Sequence, residues 1–495
     1  MTQVTPFAFD NTYVELPETF HADATPTPVA DPKLIQFNTE LAQELGIDLE
    51  QLEAADPALI FSGNELPEGS DPIAMAYSGH QFGNLNKYMG DGRAILLGEV
   101  VGNDQHHYGI QLKGPGRTPF SRRGDGRAAI GPVIREYLLS EAMHILGVPT
   151  TRALAAVSTG EHIVRQTQLR GAIITRTARS FVRVGMFQHF AIRGDYDGLK
   201  AMADYVIEHT YPELKTSDTP YLDLLNAVIE RQAKLIAHWM QLGFIHGVMN
   251  TDNMSISGDT IDYGPCAFMD EYHPETVFSS IDSRGRYAYQ NQPAAGHWDL
   301  CRLAESMAQL FSEDQDEAGK LAQEAINDFP KHYEKYWLTG MCQKLGLSEV
   351  IEGDLELVND LLDVLDANEA DFTLTFYHLS SALMDSTVND QAIRDLFENS
   401  KPFEAWAERW RDRLATEYLT DEERQINMHK VNPLYIARNH LVEAVVRAAE
   451  DNADYAPFYE MLDVLKQPFT EQVGKDKYGL PPQKEEVVLR TFCGT

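Results

Sequence analysis

Carboxylate and amide side chains cluster in one segment, FIHGVMNTDNMSISGDTIDYGP, between positions 244 and 265. Asp252 and Asn253 lie in a polar loop after an apolar helical stretch, and Asp262 follows a predicted short hairpin. Such oxygen donors suit Mg²⁺, which also accepts phosphate oxygens from a bound nucleotide. Loop aspartates such as Asp252 and Asp259 more often only form turns. The apolar context of Asp262 favours a metal site.

A glycine turn and a strand lysine precede that segment. The turn Gly90-Asp91-Gly92-Arg93 leads into a predicted strand over 94–100, and its glycines let backbone N–H groups approach a phosphate. Most turns of this kind are only structural. The next predicted strand ends at Lys113, and a lysine there is usually a solvated charge. Neither the glycine turn nor the lysine alone indicates a phosphate site, and only the neighbouring segments make that interpretation stronger.

Basic residues are concentrated directly after this strand. The segment 114–127 holds Asp125, Gly126 and four arginines, which with Lys113 give five cations in fifteen residues of a chain with net charge −34. The alternatives are a solubilising basic loop and an anion site, and the concentration favours the second. Further on, Arg176, Arg179 and Arg183 recur where a strand becomes a helix. They could present several guanidiniums to a polyphosphate.

A helix is predicted between the two arginine groups, from Pro132 to a stop at Gly147 and Pro149. Glu136 flanks its apolar stripe. It is either an ordinary surface glutamate or a partner that turns inward toward a lysine.

The composition excludes several broad classes of protein. The 495 residues include 41 Lys or Arg and 75 Asp or Glu, and 43% are hydrophobic. The acidic balance argues against nucleic acid or membrane partners, which need a basic face. Four cysteines without a CxxC pair indicate neither a disulfide framework nor zinc. With no signal peptide and no unbroken run of ~18 apolar residues, the chain is expected to be cytoplasmic.

Three regions differ in composition. Residues 1–75 are predicted to form a loop-rich extension with one helical stretch near Pro32–Leu45. Residues 76–310 alternate strand and helix signals and are rich in Gly and Arg. Residues 311–495 are acidic and are predicted to be helical. Phe403, Trp406 and Trp410 recur at helical spacing and are predicted to form an apolar stripe in the core. The chain is therefore an α+β protein with a large helical C-terminal region.

The order of these features resembles the protein-kinase series of Gly-rich loop, strand lysine, helix glutamate, catalytic loop and DFG. One departure is His246-Gly247, which stands where a kinase has His-Arg-Asp. From about Ala76 onward the chain resembles the selenoprotein O family, whose members have a protein-kinase-like bilobal fold. The motifs that carry this resemblance are GRTPFSRRGDGRA, HGVMNTDNMSISGDTIDYGPCAFMD, NQPAAGHWDLCRLAESM and NPLYIARNHLVEA.

The resemblance implies a protein nucleotidyltransferase that moves AMP from ATP to hydroxyl side chains of protein substrates, with ATP flipped relative to kinases. Asp252 would be the general base, with orientation of the hydroxyl or a share in metal binding as the alternatives, and Asn253 and Asp262 would bind Mg²⁺ or Mn²⁺. Lys113 would hold phosphates and form an ion pair with Glu136. The rest of the ATP pocket would comprise Gly90, Gly92, Arg93, Asp125, Gly126, Arg176 and Arg183.

Two other functions share these features. A kinase that transfers the γ-phosphoryl group would need the same lysine and metal ligands, so only the resemblance separates it from an adenylyltransferase. An ATP-binding pseudokinase scaffold would not need two metal ligands beside a phosphate lysine, which argues against it. The choice between UTP and ATP stays open.

Two cysteines suggest a redox hypothesis that rests on the same resemblance. The family often carries selenocysteine or cysteine near the C-terminus, where this chain has Cys493. Cys266 follows Asp262 in the segment that corresponds to an activation loop. A reversible Cys266–Cys493 disulfide could gate the site, and two unrelated thiols are the alternative.

Overall fold

The computed structural model describes residues 5–382 and 390–492. It is a mixed α/β structure in which one nine-stranded antiparallel sheet is surrounded by helices. The α+β class is therefore confirmed. No helix in the described ranges is long and apolar enough to cross a membrane.

The large sheet has the strand order β1-β3-β5-β6-β9-β8-β2, with β4 paired to β3 and β7 paired to β9. A separate two-stranded sheet joins β10 and β11. The strands are β1 (His21–Asp23), β2 (Lys33–Phe37), β3 (Ile73–Gln81), β4 (Asn84–Gly90), β5 (Ala94–Val101), β6 (His107–Lys113), β7 (Ala128–Ala129), β8 (Arg152–Val164), β9 (Gln168–Ala178), β10 (Phe244–Ile245) and β11 (Ala267–Phe268).

Eight α-helices lie within residues 5–310. They are α1 (Thr39–Glu44), α2 (Leu49–Ala54), α3 (Pro57–Ser62), α4 (Ile130–Ile145), α5 (Val184–Ala191), α6 (Tyr196–Thr210), α7 (Pro220–Leu242) and α8 (Gln292–Met307). Residues 466–492 contain one 3-10 turn and no α-helix, whereas the described chain from 311 to 465 is mainly helical, as predicted. Its helices are α9 (Gln315–Ile326), α10 (Phe329–Lys344), α11 (Asp354–Ala367), α12 (Phe372–Leu379), α13 (Asp390–Arg394), α14 (Lys401–Leu414), α15 (Asp421–Met428), α16 (Asn439–Asn452) and α17 (Ala456–Leu465).

Apolar side chains on both faces of the sheet explain why its central strands are buried. One face packs on the small core that α1–α3 complete, and the other packs on α4 and the main core. α16 and α17 pack in turn on α4, so the helical region supports the sheet from outside. The predicted stripe of Phe403, Trp406 and Trp410 is buried on α14, which confirms its assignment to the core.

Two local predictions were wrong. The stretch near Pro32–Leu45 is not one helix, because Lys33–Phe37 forms strand β2 and pairs with β8 before α1 begins. Tertiary pairing therefore outweighs the helical pattern there. The hairpin expected before Asp262 is also missing: residues 254–261 contain turns and two isolated bridges to other segments, Ser255 with Arg183 and Thr260 with Thr150, and β10 pairs with β11 on either side.

Candidate nucleotide and metal site

Lys113 lies at the end of the central strand β6, where its ammonium group meets two carboxylates. Its Nζ donates to Glu136 Oε2 at 2.6 Å and also to Asp262 Oδ1. Glu136 projects from α4 toward the sheet, so it is the inward partner rather than a surface glutamate. Lys113 and Glu136 are both buried, which strengthens their attraction relative to a pair in water.

Arg176 completes this cluster from the neighbouring strand β9. Its Nη1 lies 3.0 Å from Glu136 Oε1 and 3.1 Å from Asp262 Oδ1. Its Nε donates to Gln111 Oε1 at 2.9 Å, because Gln111 and Arg176 are register partners across the β6–β9 ladder. Two cations therefore converge on two carboxylates in one ion-pair cluster.

Asp262 adopts an unusual backbone conformation at the edge of this cluster. Its φ is +70°, in the left-handed region that non-glycine residues rarely adopt, and such strain is concentrated at functional sites. Burial would raise the pKa of its carboxyl, but Lys113 and Arg176 hold that pKa well below the usual value. The side chain is 32% exposed, so an anionic oxygen faces the opening of the site.

A second buried pair lies beside the first. Arg183 Nη2 donates to Asp91 Oδ1 at 3.1 Å, and its guanidinium lies 4.9 Å from the centre of the Tyr77 ring. Gln111 Nε2 donates to the other Asp91 oxygen at 3.1 Å and so links the two pairs. Sequence reasoning named neither Asp91 nor Gln111 as a site residue. Asp91 could have been found from its position inside the glycine turn.

The glycine turn is held by the arginine-rich loop that follows β6. A side chain at Gly90 would collide with the Phe120 ring, since a Cβ there would lie 2.3 Å from Cγ. Thr118 Oγ1 donates to Asp91 O at 2.6 Å, and the Ser121 hydroxyl donates to Gly92 O. The close packing therefore requires glycine at position 90.

Arg93 lies near the Lys113 cluster. Together with Lys113, Glu136, Gly264 and Phe492 it lines a small cavity of about 20 Å³. This places the last described residue of the chain against the site.

Asp125 and Gly126 have no direct contact with that cluster. Asp125 instead forms a bidentate ion pair with Arg165, at 2.8 and 3.0 Å. Gly126 has φ +69°, and a Cβ there would lie 1.9 Å from Gly116 O. The two residues thus shape the loop 114–127, and the structure alone gives them no further role.

Asp252 and Asn253 form a short 3-10 turn after the small strand β10. Asp252 is 7% exposed, and burial raises the pKa of its carboxyl to about 6. Gln81 Nε2 donates to its Oδ2 at 3.3 Å, whereas no described group donates to its buried Oδ1. Asn253 Nδ2 donates to Val248 O at 3.1 Å, and this hydrogen bond fixes the orientation of the Asn253 side chain.

The tip of the β3–β4 hairpin covers this turn, which sequence reasoning missed. His80 N donates to Thr251 Oγ1 at 2.7 Å, and Phe82 N donates to Asn250 Oδ1 at 2.9 Å. A Cβ at Gly79 would lie only 3.0 Å from Thr251 Oγ1. The hairpin therefore connects the sheet directly to the loop that holds Asp252.

Asp299 on α8 is a further buried carboxyl near this loop, and the sequence analysis did not single it out. Burial raises its pKa well above the usual value, against the opposing charge of Arg286. Neither of its oxygens accepts a hydrogen bond within the described part of the chain.

The redox hypothesis can be placed only in part. Cys266 is buried two residues after Gly264, and Cys493 lies outside the described residues. The chain just before Cys493 reaches this segment, because Thr491 Oγ1 donates to Pro265 O at 2.5 Å. The pairing of the two cysteines stays a prediction.

Comparison with known proteins identifies the family of this chain. A family model described as "Protein adenylyltransferase SelO" matches residues 3–466. A "Protein nucleotidyltransferase YdiU" of Rhizobium meliloti (strain 1021) is 54% identical over 99% of this chain and 100% of its own length. One from Rhodopseudomonas palustris (strain HaA2) is 55% identical over 99% of each chain. The chain belongs to the protein adenylyltransferase SelO family.

Proposed function

We propose that this protein transfers AMP from ATP to hydroxyl side chains of other proteins and releases pyrophosphate. The observation that carries the proposal is the buried cluster in which Lys113 and Arg176 meet Glu136 and Asp262. Transfer at the α-phosphorus requires neutralisation of charge on three phosphates, and preorganised cations in a buried site supply it. Membership of the SelO family supports the same reaction.

The proposed chemistry begins at the acceptor hydroxyl. Asp252 takes its proton through a carboxylate oxygen, and the hydroxyl oxygen then attacks the α-phosphorus. The bond to the β-phosphate breaks, and pyrophosphate leaves with the electron pair. Lys113 and Arg176 stabilise the phosphate charge, with Glu136 orienting both cations. Gly90, Gly92, Arg93 and Arg183 complete the nucleotide pocket, and Asp125 and Gly126 shape its loop.

A divalent cation fits the donors of this site. Asp262 presents an anionic oxygen, Asn253 has an amide oxygen, and the buried Oδ1 of Asp252 has no described partner. A bound nucleotide would supply phosphate oxygens as the other ligands of the cation. We assign Asn253 and Asp262 as the ligands of Mg²⁺ or Mn²⁺. The cation would supply further charge neutralisation at the phosphates.

We also infer a kinase-like bilobal core over residues 76–310, between an N-terminal extension (1–75) and a helical region (311–495). The lysine strand β6, the glutamate helix α4 and the loop after α7 occur in the order typical of kinases and support this division.

Paired labelling with α-³²P-ATP and γ-³²P-ATP tests the proposed function. We expect label on protein only from the α position, and loss of that label in Asp262→Ala. Asp259→Ala is the matched control, because Asp259 is a neighbouring aspartate that hydrogen-bonds Ser257 rather than Lys113. Label from the γ position alone would instead establish a kinase.

A further inference from the structure

A polar cavity of about 480 Å³ lies beside the loop that precedes α8. The segment 275–291 forms most of it, and Arg490 from the C-terminal tail forms one side. Two segments far apart in sequence therefore build it together. They are held in place by hydrogen bonds from Thr491 N to Phe278 O (2.8 Å) and from Ser280 N to Thr491 O (3.0 Å).

Two exposed arginines, Arg284 and Arg490, line the cavity. In the described part of the chain, neither Arg284 nor Arg490 forms an ion pair or a hydrogen bond. The neighbouring Arg286 does not line the cavity, because its guanidinium lies over the Trp298 ring, 4.8 Å from the ring centre.

The carboxylates of the cavity do not neutralise these arginines. Asp282 turns inward and accepts from the backbone N–H groups of Arg286 (2.9 Å) and Tyr287 (2.8 Å). Glu275 is exposed and makes no ion pair with either arginine of the cavity. A hydroxyl donor is also available, because Ser279 Oγ is buried at the cavity without a described partner. With two guanidinium groups that have no described partner, the cavity suits a carboxylate.

The cavity is close to the proposed general base. Tyr287, between the lining residues Gly285 and Ala288, donates through its hydroxyl to Asn250 Oδ1 at 2.8 Å. Asn250 lies two residues before Asp252 in the same turn. The loop that lines the cavity therefore contacts the turn that holds Asp252.

We propose that this cavity selects the acceptor protein, by binding an acidic side chain near the hydroxyl that is modified. The inference rests on the proposed function and specifies its substrate class. Arg284 and Arg490 pair with the carboxylate of the acceptor, and Ser279 donates to it. Guanidinium groups suit this task because they bind carboxylates through two parallel hydrogen bonds.

Synthetic peptides test the proposal directly. Each peptide carries one central Ser, Thr or Tyr, with Glu, Gln or Lys placed about three to five residues away on either side. Fluorescence anisotropy measures peptide binding with and without ATP, and α-³²P-ATP measures transfer. We expect the Glu peptides to bind and react about tenfold better than the Lys peptides. The double variant R284E/R490E should reverse that preference.

A control variant distinguishes recognition of the peptide at the cavity from an effect of the protein's net charge. Lys484→Glu makes the same kind of charge reversal in the same exposed tail, outside the cavity, and should keep the preference for Glu peptides. The milder R284Q/R490Q variant should abolish the preference with an unchanged melting temperature. Equal binding of Glu and Lys peptides, no binding of any peptide, or an equal effect of Lys484→Glu would overturn the proposal. Selective binding of the Glu peptides without transfer of the α-label would support the role proposed for the cavity and contradict the proposed AMP transfer.

Discussion

Asp252 is a buried carboxyl in the position proposed for a proton acceptor. Burial raises its pKa to about 6, and Gln81 provides its one described side-chain hydrogen bond. A base must be ionised to take a proton, so such a group works well near neutral pH and poorly in acid.

We therefore expect the transfer rate to fall about tenfold per pH unit below pH 6, and to level off above it. The measurement is the pH profile of α-label transfer under single-turnover conditions. Asp252→Asn should lose at least about a hundredfold in rate at every pH. A flat profile between pH 5 and 7 would show that another group takes the proton.

The buried carboxyl of Asp252 should also lower the free energy of unfolding near neutral pH. Because its pKa is raised in the folded state, the folded protein binds more protons than the unfolded chain, so the contribution of Asp252 to stability is lost as pH rises through about 6. Asp252→Asn should increase the free energy of unfolding by about 1–3 kcal/mol at pH 7 and by less at pH 4. Urea unfolding at both pH values measures this. The exposed Asp218→Asn is the control and should change stability by less than ~0.5 kcal/mol.

Glu136 and Glu141 offer a matched pair on one helix. Both are buried on α4, but Glu136 contacts Lys113 and Arg176, whereas Glu141 accepts from Arg152 at 2.9 Å. Each Glu→Gln change should cost about 1–3 kcal/mol of stability, because a buried cation loses its charged partner. Only Glu136→Gln should reduce AMP transfer, by about tenfold or more. Equal rates of AMP transfer in the two folded variants would show that Glu136 has no role in the site.

At the scale of elements, the order of motifs along the chain predicts more of the site than any single residue does. Lys113 and Asp262 could be anticipated because each falls at the end of an apolar segment, and Glu136 because it flanks the apolar face of a helix. The contact between Gln111 and Arg176 could not, since it depends on the register between β6 and β9. The pairing of Asp125 with Arg165 is likewise a product of tertiary structure.

The contact between the β3–β4 hairpin and the Asp252 turn could not be predicted from the sequence either. The sequence of β3 and β4 predicts strands but not the direction in which their tip folds. That direction is set by hydrogen bonds from His80 N and Phe82 N to side chains of residues 250 and 251. The strands β1 and β2, which precede residue 76, complete both edges of the large sheet, and this pairing depends on tertiary structure.

The loop 114–127 can be tested through its tightest point. Gly126→Ala places a Cβ against Gly116 O at a φ of +69°, so the loop must shift. We expect ATP affinity, measured by calorimetry, to fall about tenfold or more. Gly124→Ala in the same loop is the control, because its Cβ would come no closer than 3.2 Å to any neighbour. Unchanged affinity in Gly126→Ala would mean that this loop does not form part of the nucleotide pocket.

The charge of the whole molecule is distributed unevenly. Residues 1–75 contain 14 acidic residues and one lysine, and residues 311–495 contain 37 acidic and 18 basic residues. Residues 76–310, which hold the candidate site, contain 24 acidic and 22 basic residues. The segment that must accept a polyanion is thus nearly neutral, and the excess negative charge lies in the flanking regions.

This distribution predicts opposite effects of salt on stability and on nucleotide binding. Raising NaCl from about 20 to 500 mM shortens the screening length from ~20 to ~4 Å. Repulsion among the carboxylates of the flanking regions then weakens, and the melting temperature should rise by about 1–3 °C. Affinity for ATP should fall, because the same ions screen the attraction between its phosphates and the arginines and lysine of the site. KCl should act like NaCl, whereas sucrose at equal osmolality should leave ATP affinity unchanged. A melting temperature that falls with salt would mean that surface ion pairs outweigh the net repulsion.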